Sequence, residues 1–161
     1  MLTQERLKEI LHYNPDTGSM NWLVLDRNKN PDKEAGCLSK DGYKVIQIDG
    51  RQYKAHRIAW LYFYGTWPKK QIDHINRIKN DNRIHNLREA NTSENAQNIV
   101  KTKNNTGYRG VTYWSNSGKY VAMICINGKN KFLGSFTTPE DAHAAYIEEK
   151  KKYHKFFNFT I

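Results

Sequence analysis

Apolar and polar residues alternate over short stretches of this chain, and turn residues close each stretch. A first helix is predicted at Gln4–His12, where apolar residues recur at helical spacing. In Gly42–Tyr53 the pair Asp49-Gly50 separates two β-prone runs. Because Asp-Gly readily adopts the two positive φ angles of a type I′ turn, this pattern predicts a β-hairpin. The apolar-rich segment Ala55–Tyr64 then predicts a helix, which a Gly-Thr-Trp-Pro stretch ends.

The last third of the chain repeats this order of hairpin and helix. Lys119–Ile126 alternates between apolar and polar positions, an Asn-Gly turn follows, and Lys131–Phe136 supplies the return strand. Thr138 can cap the next helix, and Pro139 suits its first position. The pattern predicts a module of about three strands and one helix.

A polar, breaker-rich segment at residues 101–107 (KTKNNTG) separates the two predicted halves. Such a composition is typical of a linker. We therefore predict one region at residues 1–100 and a second domain at residues 108–161. With short strands and separate helices in both, the fold class is predicted to be α+β.

The chain is strongly basic. Its 161 residues carry 26 Lys and Arg against 16 Asp and Glu, a formal net charge of +10, and this excess points to a polyanionic partner. The longest strongly apolar run, Ile58–Tyr64, is far too short to span a membrane, and the polar start shows no signal peptide. Cys37 and Cys125 lack metal-ligand spacing and suit a reducing compartment. We expect a cytoplasmic protein without a membrane partner or a small-molecule cofactor.

Most of the candidate catalytic and metal-binding residues lie in residues 71–98, a segment that is dense in asparagine. Asparagine fills helices and strands poorly, so this density indicates a polar loop or a site with assigned partners. Within it, Asp73 and His74 end a predicted short strand. Adjacent side chains on extended backbone point to opposite faces, so one residue can hold a metal while the other faces a water.

A helix start follows in the same segment, with Thr92 or Ser93 predicted as its cap. Asn95 then falls in the first turn, where its amide oxygen can face Asp73. A carboxylate and an amide oxygen are hard ligands, which suit Mg²⁺ or Mn²⁺ better than zinc. Such a shell is completed by water and by substrate oxygens.

Residues 71–98 resemble the HNH nuclease family, whose active site is a ββα-metal fold. In that family an Asp-His or His-His pair ends the first strand, a central Asn lies in the loop, and a metal-binding His or Asn lies on the helix. Asp73-His74, Asn86 and Asn95 match in order and approximate spacing. The last position departs from the family name, because it is Asn; this variant is familiar among phage and intron-associated members.

The resemblance implies a mechanism. His74 would act as general base toward a water, and one divalent ion, Mg²⁺ with Mn²⁺ as the alternative, would sit on Asp73 and Asn95. Asn86 would brace the loop and help orient the base. The products implied are 5′-phosphate and 3′-hydroxyl ends.

The pair His56-Arg57 precedes the motif on the predicted helix at Ala55–Tyr64. Related phage nucleases often carry a His-Arg pair there, and the resemblance implies contact of Arg57 with DNA phosphate. For His56, packing of the helix explains the residue at least as well as a DNA contact does.

Residues 108–161 resemble a second unit, the Apetala2/ethylene-response-factor type of DNA-binding domain. The matching stretches are Tyr108–Val111, Gly118–Ala122, Phe132–Phe136, Glu140–Ala142, Ala144–Tyr146 and Asn158-Phe159. In that family the sheet enters the major groove. The resemblance implies DNA contacts by Arg109, Trp114, Lys119 and Lys131. Several arginines of the plant domains are missing here, so base specificity does not carry over.

The leading hypothesis is a metal-dependent endonuclease acting on double-stranded DNA, of the homing type found in phages and other mobile elements. A phage-encoded enzyme would work in the host cytoplasm. The alternative is a DNA-binding regulator with an inactive nuclease half. An RNA-binding or RNA-cleaving protein ranks last, because no RNP-like aromatic motif supports it.

Overall fold

The computed structural model describes residues 1–26, 29–99 and 104–157. The chain divides into two compact units, one at Met1–Asn95 and one that begins at Ala96. Within the described residues the elements, in chain order, are α1 Gln4–Ile10, β1 Leu11–Tyr13, β2 Met20–Trp22, β3 Cys37–Leu38, β4 Lys44–Ile48, β5 Arg51–Lys54, α2 Ala55–Tyr64, β6 Gln71–His74, a 3-10 turn Ile84–Asn86, β7 Leu87–Ala90, α3 Thr92–Gln97, β8 Val111–Trp114, β9 Lys119–Ile126, β10 Lys129–Phe136 and α4 Pro139–Tyr153. The α+β class is confirmed. The predicted linker at residues 101–107 includes three residues outside the described ranges, and the predicted domain limits stay a prediction.

Four small antiparallel sheets hold the strands of the described residues: β1-β2, β3-β4-β5, β6-β7 and β10-β9-β8. None of the helices in these ranges is long and apolar enough to cross a bilayer. The hairpin predicted around Asp49-Gly50 is confirmed, with φ angles of 47° and 77° at its two turn residues. These values match a type I′ turn, whose twist suits the flanking strands.

The first helix ends earlier than predicted. It stops at Ile10, and Leu11–Tyr13 instead pairs with Met20–Trp22 as a short hairpin. Leu11 and Tyr13 are both buried by this arrangement. The helical prediction through His12 is therefore wrong at its end, because pairing with a later segment overrides local periodicity.

The core of the first unit lies between α1, α2 and the small sheets. Helix α2 was predicted correctly, and Gly65 ends it in the left-handed conformation. Its buried side chains include Ile58 and Leu61. The core residues of this unit are Leu2, Leu7, Ile10, Leu11, Tyr13, Met20, Trp22, Ala35, Ile46, Ile48, Ala55, Ile58, Ala59, Leu61, Ile72 and Leu87.

The second unit contains a three-stranded meander with α4 packed on one face. Val111, Ala122 and Ala142 form its buried centre. The hairpin of β9 and β10 is confirmed, although β10 begins at Lys129, two residues earlier than predicted. Helix α4 also starts as predicted, since Thr138 accepts a hydrogen bond from the Asp141 backbone N–H at 3.2 Å.

Candidate active site

The β6-β7 hairpin positions the two central residues of the motif. Asp73 and His74 end β6, and their cross-strand partners on β7 are Arg88 and Leu87. Both Asp73 and His74 are buried, with 6% and 4% of their surface exposed. Neighbouring residues on a strand face opposite sides, and the contacts of the two side chains follow this rule.

Asn86 closes the loop between the two strands. Its Oδ1 accepts a hydrogen bond from the Asn76 backbone N–H at 2.9 Å, and its Nδ2 donates to the Asp81 carbonyl oxygen at 2.9 Å. The backbone N–H of Ile75 also donates to the Asn86 carbonyl at 2.9 Å. One buried amide therefore ties together both ends of the loop that follows His74, which is a positioning role.

A carboxylate stabilises the middle of this loop. Asp81 accepts hydrogen bonds from Asn76 Nδ2 at 2.6 Å and from Arg83 Nε at 2.8 Å. These bonds favour the charged form, and the Arg83 guanidinium lowers the pKa of Asp81 to about 2. The loop thus carries a permanent ion pair at neutral pH.

The N-terminal hairpin supports the same loop. The Tyr13 hydroxyl donates to the Asn82 carbonyl at 2.7 Å, and the Ile84 backbone N–H donates to the Pro15 carbonyl at 2.9 Å. Gly18, at φ +77°, approaches so closely that a Cβ there would lie 2.6 Å from the Arg83 backbone nitrogen. No local sequence pattern indicates these contacts, because they join residues far apart in the chain.

The side of β6 that carries Asp73 is the candidate metal side. Arg88 donates from Nε and from a terminal nitrogen to Asp73 Oδ2, at 2.9 and 2.7 Å. Asn95 Nδ2 donates to Gln71 Oε1 at 3.1 Å. Since Gln71 and Asp73 are two residues apart on one strand, they share a face, and the structure brings Asn95 to that face.

The donors on this face fit a hard cation. Asp73 offers a carboxylate, and the Asn95 amide uses its nitrogen toward Gln71, so its oxygen is the remaining donor atom of that group. Mg²⁺ is bound through a few protein oxygens and keeps several waters. Within residues 1–26, 29–99 and 104–157, no three His, Cys, Asp or Glu side chains are grouped for a metal.

Helix α3, which carries Asn95, has a different cap from the one predicted. Asn91 Oδ1 accepts from the Glu94 backbone N–H at 2.9 Å, and Glu94 Oε2 accepts from the Asn91 backbone N–H at 2.6 Å. This reciprocal pair is a capping box. The prediction of Thr92 or Ser93 as the cap is therefore wrong, because a box needs its acidic residue three positions after the cap.

His74 lies on the opposite side of β6, in an aromatic cluster. Its ring centroid is 5.1 Å from that of His56 and 6.0 Å from that of Tyr43. Burial lowers the pKa of His74, and a side-chain hydrogen bond with Asn82 opposes that shift. The imidazole is therefore held neutral at neutral pH, the form a general base requires.

His56 lies closer to His74 than the sequence pattern indicates. It is 5% exposed, and among the described residues its buried Nδ1 has no hydrogen-bond partner. Burial, followed by the effects of His74, Lys54 and Arg57, lowers the pKa of His56 to about 3. The signal in the sequence was its place on the buried face of a helix directly before the motif.

Arg57 lies away from that cluster, in a shallow groove. The groove is lined by Arg57, Lys69, Lys70 and Gln71, together with residues 90–92 at the start of α3. The Arg57 guanidinium also lies 5.7 Å from the centre of the Trp67 ring. Because Gln71 shares its strand face with Asp73, this basic groove adjoins the candidate metal side.

The four predicted contact residues of the second unit have different surroundings. Trp114 is 48% exposed, and its cross-strand partner Lys119 is exposed. Lys131 is paired with Glu149. Arg109 donates to the backbone carbonyls of Ala96 and Ile99. The structure does not bring these four residues into one cluster of contacts.

Comparison with known proteins assigns the region around this site. The sequence model described as HNH endonuclease matches residues 53–97. These residues include α2, the β6-β7 hairpin and α3, and with them Asp73, His74, Asn86 and Asn95. This part of the chain is therefore similar to an HNH endonuclease domain, a domain of the nuclease class of enzymes.

Two relatives come from Acanthamoeba polyphaga mimivirus, and each is named an uncharacterized HNH endonuclease. One is 38% identical over 82 residues, which make up 46% of this chain and 21% of the relative. The other is 28% identical over 130 residues, which make up 80% of this chain and 67% of the relative. The matched part thus spans about a fifth of the first relative. No solved structure matches the chain significantly.

Proposed function

We propose that the chain is a metal-dependent endonuclease that hydrolyses phosphodiester bonds of double-stranded DNA, because residues 53–97 match the HNH endonuclease model. The observation that carries this proposal is the arrangement of side chains at the end of β6. There a buried imidazole and a buried carboxylate occupy adjacent positions with separate sets of contacts. This separation lets one group accept a proton while the other serves a cation.

In this proposal His74 takes the proton of the attacking water. Burial keeps its pKa low, so the ring is neutral and can accept a proton near pH 7. The edge contact with His56 fixes the plane of the ring, and Asn86 holds the following loop closed. The products are 5′-phosphate and 3′-hydroxyl ends.

Asp73 and Asn95 would hold one divalent ion, Mg²⁺ or Mn²⁺. When bound there, such an ion supplies stabilisation of the charge that develops on the phosphate and on the leaving oxygen. Arg88 keeps the Asp73 carboxylate in place through two hydrogen bonds to Oδ2. Gln71 orients the Asn95 amide with its nitrogen turned toward β6.

DNA contacts are proposed for both units. In the first, the groove with Arg57, Lys69 and Lys70 adjoins the site and offers positive charge to phosphates. In the second, we propose an Apetala2-like binding surface with Arg109, Trp114, Lys119 and Lys131. The exposed Trp114 beside Lys119 supports it, since a base-contacting sheet needs accessible aromatic and basic side chains.

A homing-type role in a virus or mobile element completes the proposal, and the viral origin of both relatives supports it. The alternative is a DNA-binding regulator whose nuclease half is inactive. The intact set of Asp73, His74, Asn86 and Asn95 favours the enzyme. Cleavage by the wild-type chain separates the two functions.

The experiment is a supercoiled-plasmid assay with EDTA, Mg²⁺ or Mn²⁺, on the wild type and on His74→Ala. We expect relaxation or linearisation with either metal, none with EDTA, and loss in the variant. The exposed His85, in the same loop region, gives the matched control His85→Ala, which should cut normally. Retarded plasmid without cutting, on host DNA as well, would support the regulator instead.

A further inference from the structure

Two lysine ammonium groups lie over one aromatic ring near the candidate active site. Lys54 Nζ is 4.3 Å from the centre of the Tyr43 ring, and Lys79 Nζ is 5.0 Å from it. Lys54 ends β5, and Lys79 lies in the loop after β6. Distant segments therefore bring two like charges to the same ring, although such charges repel each other.

Tyr43 connects these lysines to the proposed base. Its ring centroid is 5.3 Å from that of His56 and 6.0 Å from that of His74. Burial is the main cause of the lowered pKa of both His74 and His56. The charge of Lys79 adds a small lowering at His74, where Asp73 and Asp81 act in the opposite direction, and the charge of Lys54 adds one at His56. The positive potential of both lysines thus reaches the imidazoles.

The surroundings leave this positive charge available to a ligand. Lys79 Nζ donates to the backbone carbonyl of Asp41 at 2.8 Å, which is a neutral acceptor. Helix α2 begins directly after Lys54, and its first turn holds no acidic residue. The positive end of the α2 dipole therefore adds to the potential of the ammonium groups.

We propose that Lys54, Lys79 and Tyr43 form a phosphate cradle, which holds a backbone phosphate of the nucleic acid beside His74. This inference rests on the proposed nuclease function and deepens it. The two ammonium groups contact the nonbridging oxygens, and the Tyr43 ring fixes the lysine side chains at its surface. A phosphodiester anion also relieves the repulsion between the lysines.

A purely structural role for these lysines makes a different prediction. A cation–π pair stabilises a tyrosine whether or not a ligand binds. The chain offers a matched control, since Lys8 Nζ lies 5.4 Å from the centre of the Tyr62 ring. Lys8 is also exposed and belongs to the same unit, so Lys8→Gln removes an equal charge and a similar ring contact.

The test measures binding of a short duplex DNA in EDTA by fluorescence anisotropy, from about 50 to about 200 mM salt. Lys54→Gln and Lys79→Gln should each reduce the slope of log affinity against log salt by about 0.9, the value for one lost phosphate contact. Near 100 mM salt this corresponds to roughly tenfold weaker binding. Lys79→Arg should restore the slope, and Lys8→Gln should leave it unchanged.

Plasmid cleavage by the wild type is measured in parallel, and melting temperatures verify that each variant is folded. If the wild type cleaves plasmid DNA but both lysine variants keep the wild-type salt slope, the phosphate cradle is wrong and the nuclease proposal is unaffected. If both variants show reduced salt slopes but the wild type does not cleave DNA, the phosphate cradle is supported and the proposed nuclease function is contradicted. Absence of both binding and cleavage overturns both proposals.

Discussion

The ring of His56 meets the ring of His74 edge to face, with centroids 5.1 Å apart and planes at 87°. One ring comes from the first turn of α2 and the other from the end of β6. Both are buried, and burial lowers the pKa of each. The contact orients the proposed base without adding a charge next to it.

These buried histidines make the protein sensitive to acid. The pKa of His56 is about 3 in the fold and 6.5 ordinarily, so between these values the unfolded chain binds the extra proton. The free energy of unfolding should therefore fall as pH drops below about 6.5, by about 2 kcal/mol near pH 5 from His56. Urea unfolding at several pH values measures this.

The variant His56→Phe keeps a ring in place and removes the titrating group. Its unfolding free energy should depend less on pH between about 6.5 and 3 than that of the wild type. His12 is exposed, so His12→Phe serves as the control and should retain the wild-type dependence. An identical pH dependence in His56→Phe would contradict the assignment.

The Asp73–Arg88 ion pair should stabilise the hairpin that carries the site. Arg88→Ala removes two hydrogen bonds from a carboxylate that is 6% exposed. We therefore expect the free energy of unfolding, measured by urea denaturation, to fall by about 1–3 kcal/mol. Arg51→Ala removes an exposed strand arginine and should cost less than about 0.5 kcal/mol. Equal losses in the two variants would mean that the pair contributes nothing specific.

Binding of a metal ion to Asp73 can be tested on the same variants through their melting temperatures. Mn²⁺ should raise the melting temperature of the wild type, and it should raise that of Arg88→Ala by more, because the cation then replaces the lost positive charge beside Asp73. Asp73→Asn should show little Mn²⁺ stabilisation. Equal stabilisation of the wild type and Asp73→Asn would place the ion elsewhere.

Gly18 should be essential for the support of the catalytic loop. A Cβ at this position would lie 2.6 Å from the Arg83 backbone nitrogen and 2.8 Å from the Asn82 carbonyl carbon, so Gly18→Ala forces the turn and the loop apart. Gly50 has the same φ of +77° with nothing within 4 Å of its Cβ position. Gly50→Ala therefore reports the cost of the φ angle by itself.

We expect Gly18→Ala to lose about 1–3 kcal/mol more than Gly50→Ala on chemical unfolding. Plasmid cleavage should fall with it, because the displaced loop follows His74. If the two variants lose the same free energy and cut DNA equally well, the close contact has no functional role.

The exposed pair on β8 and β9 tests the proposed binding surface of the second unit. Trp114→Ala and Lys119→Ala should each weaken binding of duplex DNA, and the lysine variant should also lower the salt slope by about 0.9. Phe63 is a similarly exposed aromatic residue on α2, and Phe63→Ala should bind as the wild type does. Unchanged affinity in both sheet variants would remove this surface from the proposal.

Local sequence patterns were enough to predict several turns and one helix cap. Asp49-Gly50 and Asn127-Gly128 each adopt two positive φ angles, as the chemistry of these residues requires. Thr138 caps α4 because its hydroxyl lies next to the backbone it serves. The order Asp73-His74, Asn86 and Asn95 carried the resemblance to the HNH family, which the match at residues 53–97 supports; the roles of these four residues stay a prediction.

Long-range contacts decided the rest. Leu11–Tyr13 became a strand because Met20–Trp22 was there to pair with it, and His56 became part of the site because α2 packs it against His74. The sequence by itself determined the turns, the cap of α4, the positive charge and the resemblance of the motif, all of which depend on near neighbours. The tertiary structure decided which side chains surround the motif: the support from Tyr13 and Gly18, the Arg88 pair, and the lysines over Tyr43. Those contacts join segments far apart in the chain, and burial sets their strength, which no local pattern encodes.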